Sequence, residues 1–171
     1  MPCSEQMPAI TTIEQMIAKS IGLWGWRPIF FKPKEMVKWA YLDPDDLPDE
    51  CAQWVADGCV VPTINESLWR SMERVCLNLD SVREKCGPLV VTGAGGWRPR
   101  EVFPDRAARV PGSRHIHGDA LDLVPRSVSP EYLFAVVDKM QRLRHIEPGG
   151  ARCYTRDGFV HVDVRGRLAR W

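Results

Sequence analysis

Two short segments of this chain carry residue types that hold metal ions. Ser113-Arg-His115-Ile-His-Gly118-Asp-Ala120-Leu-Asp122 and Phe159-Val-His161-Val-Asp163 together offer two imidazoles and a carboxylate for one ion. Such a set suits a catalytic zinc, which takes His nitrogen and carboxylate oxygen from three protein ligands and leaves its fourth position to water. Bound zinc lowers the pKa of that water to about 7 and polarises a peptide carbonyl, giving a nucleophile at neutral pH without an activated Ser or Cys.

Strand periodicity explains how such distant residues converge. A strand over Ala120 to Val124 puts Leu121 and Leu123 on one face and Ala120, Asp122 and Val124 on the other. In Gly158 to Val164, Val160, Val162 and Val164 share one face, while Phe159, His161 and Asp163 share the opposite one. The polar faces can then meet in a common cleft. Gly118 and Ala120 are small enough to let the backbone lie close to an ion or a neighbouring strand.

Other segments supply the frame. Ile13, Met16, Ile17, Ile21 and Trp24 predict an amphipathic helix over residues 12–22, and Pro33 opens a short helix toward Trp39. Asp43-Pro-Asp-Asp-Leu-Pro-Asp-Glu50 predicts a solvated loop, since it lacks the ligand and glycine spacing of a calcium loop. Thr63-Ile-Asn-Glu66 has the form of a capping box, followed by a long helix with Leu68, Met72, Val75, Leu79 and Val82 on its apolar face up to Gly87-Pro88. Leu89 to Thr92 predicts a buried strand that runs into Gly93-Ala-Gly-Gly96 and delivers Trp97 and Arg98; these glycines do not fit the dinucleotide fingerprint. Ser129-Pro130 starts a helix with Leu133, Val136, Val137, Met140 and Leu143 inward, and residues 152–156 and 159–164 predict a hairpin around Asp157-Gly158.

Length and composition bound the function. At 171 residues with 44% hydrophobic content, one domain with an ordinary core is expected, with residues 1–29 as an N-terminal helical extension. A net charge of +1 gives no case for nucleic acid, and no apolar run is long enough for a membrane span or a secretory signal. The expectation is a monomer made in the cytoplasm. Six cysteines without a CxxC pair support neither a thiolate zinc site nor a redox motif, although a Cys51–Cys59 bridge is open in an oxidising compartment.

The pattern Ser113-x-His115, two residues, Gly118-x-Ala120-x-Asp122, with the later His161-x-Asp163, resembles the zinc D-alanyl-D-alanine carboxypeptidases and their relatives, which share a fold with the Hedgehog signalling domain. Similar features include Phe31-Lys-Pro-Lys-Glu-Met36, the long helix, Val90-Val-Thr92 leading to Arg98, and Arg167-Leu-Ala-Arg-Trp171, so the likeness spans roughly residues 30–171. The resemblance implies zinc held by His115, Asp122 and His161, with Arg98 in the place of an arginine that stabilises the substrate carbonyl or a terminal carboxylate. It also implies cleavage of peptides in bacterial cell-wall peptidoglycan. The stretch before Arg98 is longer and richer in glycine than the family's Ser-Gly-Tyr-Arg turn. Where relatives often carry Glu, Asp or His before the last zinc histidine, this chain has Asp157-Gly-Phe-Val160.

The general base has two candidates. Asp163 follows His161 on the same face, about 7 Å along the strand, and serves either as base or as an acceptor that orients a ligand histidine. Asp157 is the other candidate, against an ordinary role as a turn residue. His117 faces the cleft or the surface, and Trp97 and Phe159 line a groove or pack in the core. His145 and Glu147 do not form an HExxH motif and take no catalytic part. The expected architecture is α+β, a small antiparallel sheet carrying the zinc ligands with helices over its other face. The expected activity is peptidoglycan hydrolysis as a carboxypeptidase or endopeptidase, in a phage or prophage lysis protein released by other means. A zinc-stabilised module that binds wall peptides or a protein partner without cutting is the alternative.

Overall fold

Asn65 starts the first helix, its side-chain oxygen accepting the Leu68 N–H at 2.9 Å. This helix, α1 (Glu66–Cys86), is thus capped two residues later than the expected Thr63 box. Trp69, Met72, Val75, Leu79 and Val82 are buried along it, whereas Leu68 sits at the edge of the core. Gly87 ends the helix at φ 77°, in the left-handed region that glycine enters without a Cβ clash, and its N–H bonds the Arg83 carbonyl. This computed structural model describes residues 64–171 together with Met36, Cys51, Gln53, Asp57 and Pro62. The expected helix over 12–22, the extension 1–29, the acidic loop 43–50 and Cys59 lie outside the described residues. Of the helix expected after Pro33, Met36 is described; it is helical and fully buried.

After α1 the chain forms β1 (Leu89–Val91), a glycine turn, α2 (Pro104–Arg109), a 3-10 turn (Arg114–His117) and β2 (Ala120–Pro125). Then come α3 (Pro130–Arg142), β3 (Gly150–Tyr154), β4 (Phe159–Asp163) and β5 (Ala169–Arg170). The sheet order is β1-β2-β4-β3-β5, antiparallel except for the parallel β3–β5 pair. The architecture is mixed α and β with an open five-stranded sheet, compatible with the expected α+β class. Neither α2 nor β5 has a sequence pattern long enough to announce it.

Leu121, Leu123, Val160, Val162 and Val164 point to one side of the sheet, where they are at most 1% exposed and pack with α1 and α3. Ser129 caps α3 by accepting from the Tyr132 N–H, with Pro130 at the first helical position. Leu133, Val137 and Met140 enter the core, but Leu143 lies beyond the last turn and is 55% exposed, so its expected inward position is corrected. The β3–β4 hairpin turns through Thr155–Gly158, and its first strand lies two residues earlier at each end than the expected 152–156.

Candidate metal centre

Register assembles the site. Asp122 on β2 is the direct cross-strand partner of His161 on β4, which in turn faces Arg152 on β3, so a polar row crosses the face away from the core. His115 enters from the 3-10 turn, whose end at Gly118 (φ 67°) reverses the chain into β2. A Cβ on Gly118 would lie 2.6 Å from Leu68 Cδ1, so α1 packs directly under this turn. Trp97 donates its indole N–H to the Ile116 carbonyl at 3.2 Å and is 4% exposed, which makes it a core residue that pins the turn.

The donor atoms converge. His115 Nε2, His161 Nδ1 and Asp122 Oδ1 lie 3.0, 2.9 and 3.2 Å from one another, and all three residues are buried. Ligands about 2.1 Å from a tetrahedral ion stand about 3.4 Å apart, so these atoms form nearly one face of such a tetrahedron. The outer atom of each ligand is held. His115 Nδ1 meets the Gly96 carbonyl at 2.7 Å, His161 Nε2 meets Asp163 Oδ2 at 3.3 Å, and Asp122 Oδ2 is paired with Arg98.

Those outer bonds set the tautomers. With Nδ1–H of His115 donated to a carbonyl and Nε2–H of His161 donated to a carboxylate, both inward nitrogens present lone pairs, as does Asp122 Oδ1. In those tautomers three acceptors face one another, an arrangement that could hold a metal ion. Burial pushes the His115 pKa down and keeps it neutral, while burial of Asp122 is outweighed by His115, His161 and Arg98, which hold its carboxyl well below the usual range. His161 is pushed up, because its bonds to Asp122 and Asp163 outweigh burial.

The glycine turn before Arg98 is part of the site. Gly95 accepts the Asp122 N–H at 2.8 Å while the Thr92 N–H bonds the Asp122 carbonyl at 3.0 Å, and Arg98 N–H bonds the His115 carbonyl at 3.0 Å. The turn therefore brackets one ligand and supports the other. A Cβ on Gly95 would stand 2.9 Å from the Asp122 carbonyl oxygen, so only glycine lets the backbones approach this closely. Arg98 itself is within the site, 17% exposed at its side chain, with its Nε turned to the Ala94 carbonyl.

Neither expected base position lines the cleft. Asp163 is fully buried; its oxygens accept from the Gly150 N–H at 2.8 Å, from Arg165 and from His161, which leaves none facing the cleft. Of its two expected roles the orienting one fits. Asp157 is exposed in the hairpin turn, its N–H bonded to the Tyr154 carbonyl, and does not line the cleft. His117 and His145 are exposed, and Glu147 pairs with Arg74 at 3.4 Å, away from the metal centre.

The triad opens into a cleft of about 670 Å³. Phe159 lines it, stacked on Tyr154 with ring centroids 4.6 Å apart, and Trp171 stands edge-on to His161 at 5.5 Å. Among the described residues, six arginines also line it, Arg98, Arg106, Arg109, Arg114, Arg152 and Arg165, against Asp122 as the single acidic residue. Sequence reasoning missed five of these arginines, as well as Tyr154 and Trp171. A near-zero net charge averages over the chain, and these cations come from five separate segments; only the alternation Arg152-x-Tyr154 opposite His161 hinted at a shared face.

No protein-family model, curated protein or solved structure matches the chain. Its function is therefore argued from the site. Among the described residues, no helix is long and apolar enough to cross a membrane.

Proposed function

We propose that this protein is a zinc-dependent peptidase that hydrolyses a peptide bond of bacterial cell-wall peptidoglycan, as a D-Ala-D-Ala carboxypeptidase or an endopeptidase. The observation that carries the proposal is the convergence of three buried, outwardly hydrogen-bonded acceptors at the floor of an open cleft. His115 Nε2, His161 Nδ1 and Asp122 would hold the ion. Zinc, when bound, supplies an activated water and a Lewis acid for the carbonyl.

The chain's own residues supply the rest. Arg98 offers a guanidinium beside Asp122, placed to hold a substrate carbonyl oxygen or carboxylate as charge builds there. Gly96 and Asp163 fix the two imidazole rings, and Tyr154 with Phe159 gives an apolar wall for a substrate side chain. The wall substrate and the family resemblance fit a phage or prophage lysis protein.

One observation favours a second reading. Among the described residues that line the cleft, no carboxylate besides Asp122 can take a proton from water, as a zinc-stabilised binding module of the same fold would have it. Incubating the purified zinc-loaded protein with muropeptides, with and without a chelator, separates the two. Chelator-sensitive cleavage, with the new amine terminus located by mass spectrometry, supports the peptidase; zinc-bound protein that leaves every muropeptide intact supports the binding module.

A further inference from the structure

The arginines of the cleft differ in what they meet. Arg98 pairs with Asp122, Arg114 with Asp119 and Arg165 with Asp163, so these three cations are tied to carboxylates in or behind the wall. Arg152 and Arg109 are not. Arg152 lays its guanidinium over the Tyr154 ring at 4.7 Å, and Arg109 turns its Nε to the Asp105 carbonyl at 3.3 Å; neither has a carboxylate partner among the described residues. Both line the same cleft as the triad. Arg152 is moreover the cross-strand neighbour of His161, which sets its Cα about 5 Å from that of a metal ligand. A guanidinium fork without a carboxylate partner, in the same cleft as the triad, is matched in geometry by a carboxylate, which it binds through two parallel N–H donors.

We infer that Arg152, with Arg109 of α2, forms a carboxylate-recognising subsite beside the metal centre, and that the ligand of this cleft is an acidic peptide. The bond presented to the metal rests on the peptidase reading; the charge preference does not. A peptide fits better than a nucleic acid. The Tyr154 ring, a candidate platform for a base, already meets Phe159, 18° from parallel, and the Arg152 guanidinium. The cleft is also a concave pocket in the size range of small-ligand sites rather than an extended basic track.

The test is calorimetric titration of the full chain, chelator-treated and zinc-loaded, with the tetrapeptide Ala-Glu-Ala-Ala, its Gln analogue with an amidated C-terminus, and a short single-stranded oligonucleotide. The acidic peptide binds about tenfold tighter than the amide. Arg152→Ala removes that preference while zinc stoichiometry stays at one, and Arg152→Lys restores part of it because a point charge replaces the planar fork. Equal affinity for both peptides, a preference that survives Arg152→Ala, or tighter binding of the oligonucleotide overturns the inference. A preference for the acidic peptide without hydrolysis of any muropeptide sinks the peptidase and leaves the subsite standing, whereas equal binding with chelator-sensitive cleavage does the reverse.

Discussion

Asp163 stands two residues beyond His161 on β4 and accepts from its Nε2 at 3.3 Å, while Arg165 and the Gly150 N–H fix the carboxylate from behind. The room for this side chain is made by small neighbours, since a Cβ on Gly150 would lie 2.3 Å from Asp163 Oδ2. The ring of His161 is thereby turned so that Nδ1 faces Asp122 and His115.

Removing the charge of Asp163 should loosen the metal without removing a ligand. We predict that Asp163→Asn weakens zinc affinity about 10- to 100-fold, the usual effect of losing a carboxylate that orients a ligand histidine. Competition against a chromophoric chelator measures it; an unchanged affinity would assign Asp163 a purely structural role.

Zinc should stabilise the fold, because the triad is assembled only in the folded chain. At a free zinc concentration 100 times Kd the gain is about 2.7 kcal/mol. Thermal melts with and without chelator should separate accordingly, and His115→Ala, Asp122→Ala and His161→Ala should each abolish the difference.

If hydrolysis is found, Arg98→Ala should lower kcat by about 10²- to 10³-fold, the loss expected from deleting one donor to a developing oxyanion. Zinc content, read by metal analysis, distinguishes this from collapse of the site. A variant that keeps full activity would reduce Arg98 to an ion pair for Asp122.

Gly95→Ala should damage the site from a distance. The added Cβ would meet Thr92 Oγ1 at 2.3 Å and the Asp122 carbonyl oxygen at 2.9 Å, so the turn or β2 must shift. A loss of about 1–3 kcal/mol in urea unfolding is expected, as for overpacking in a filled interior. Zinc affinity should fall with it.

Acid should act through Asp163 in the chelator-treated protein. Burial alone would raise its pKa, but Arg165, His161 and the Gly150 N–H outweigh burial and hold it well below the usual carboxylate range. A depressed folded pKa gives stability that is present above the unfolded value of about 3.9 and lost as pH falls toward the folded one. Urea midpoints should therefore drop between about pH 5 and pH 3, less steeply in Asp163→Asn. An identical slope in both proteins would place the acid sensitivity elsewhere.

How much of this was legible depends on whether the information is local. Period-2 alternation put Leu121 and Leu123 opposite Asp122, and the three valines opposite His161, because a strand's side chains can go only two ways. The spacing of apolar residues likewise located α1 and α3, and the Ser129-Pro130 signal the start of α3. Leu143 was misplaced because a helical stripe does not say where the helix stops.

The residue types and their alternation were sufficient to name His115, Asp122 and His161 as one candidate donor set and to class the chain as α+β. Tertiary structure alone decided that Asp122 pairs in register with His161, that Asp163 is sealed behind the ring it orients, and that Asp157 is left in solvent. It also gathered six arginines from separate segments around one cleft. The reason is physical. Periodicity fixes which way a side chain points along its own element, but register, burial and the sum of distant charges exist only once the elements have packed.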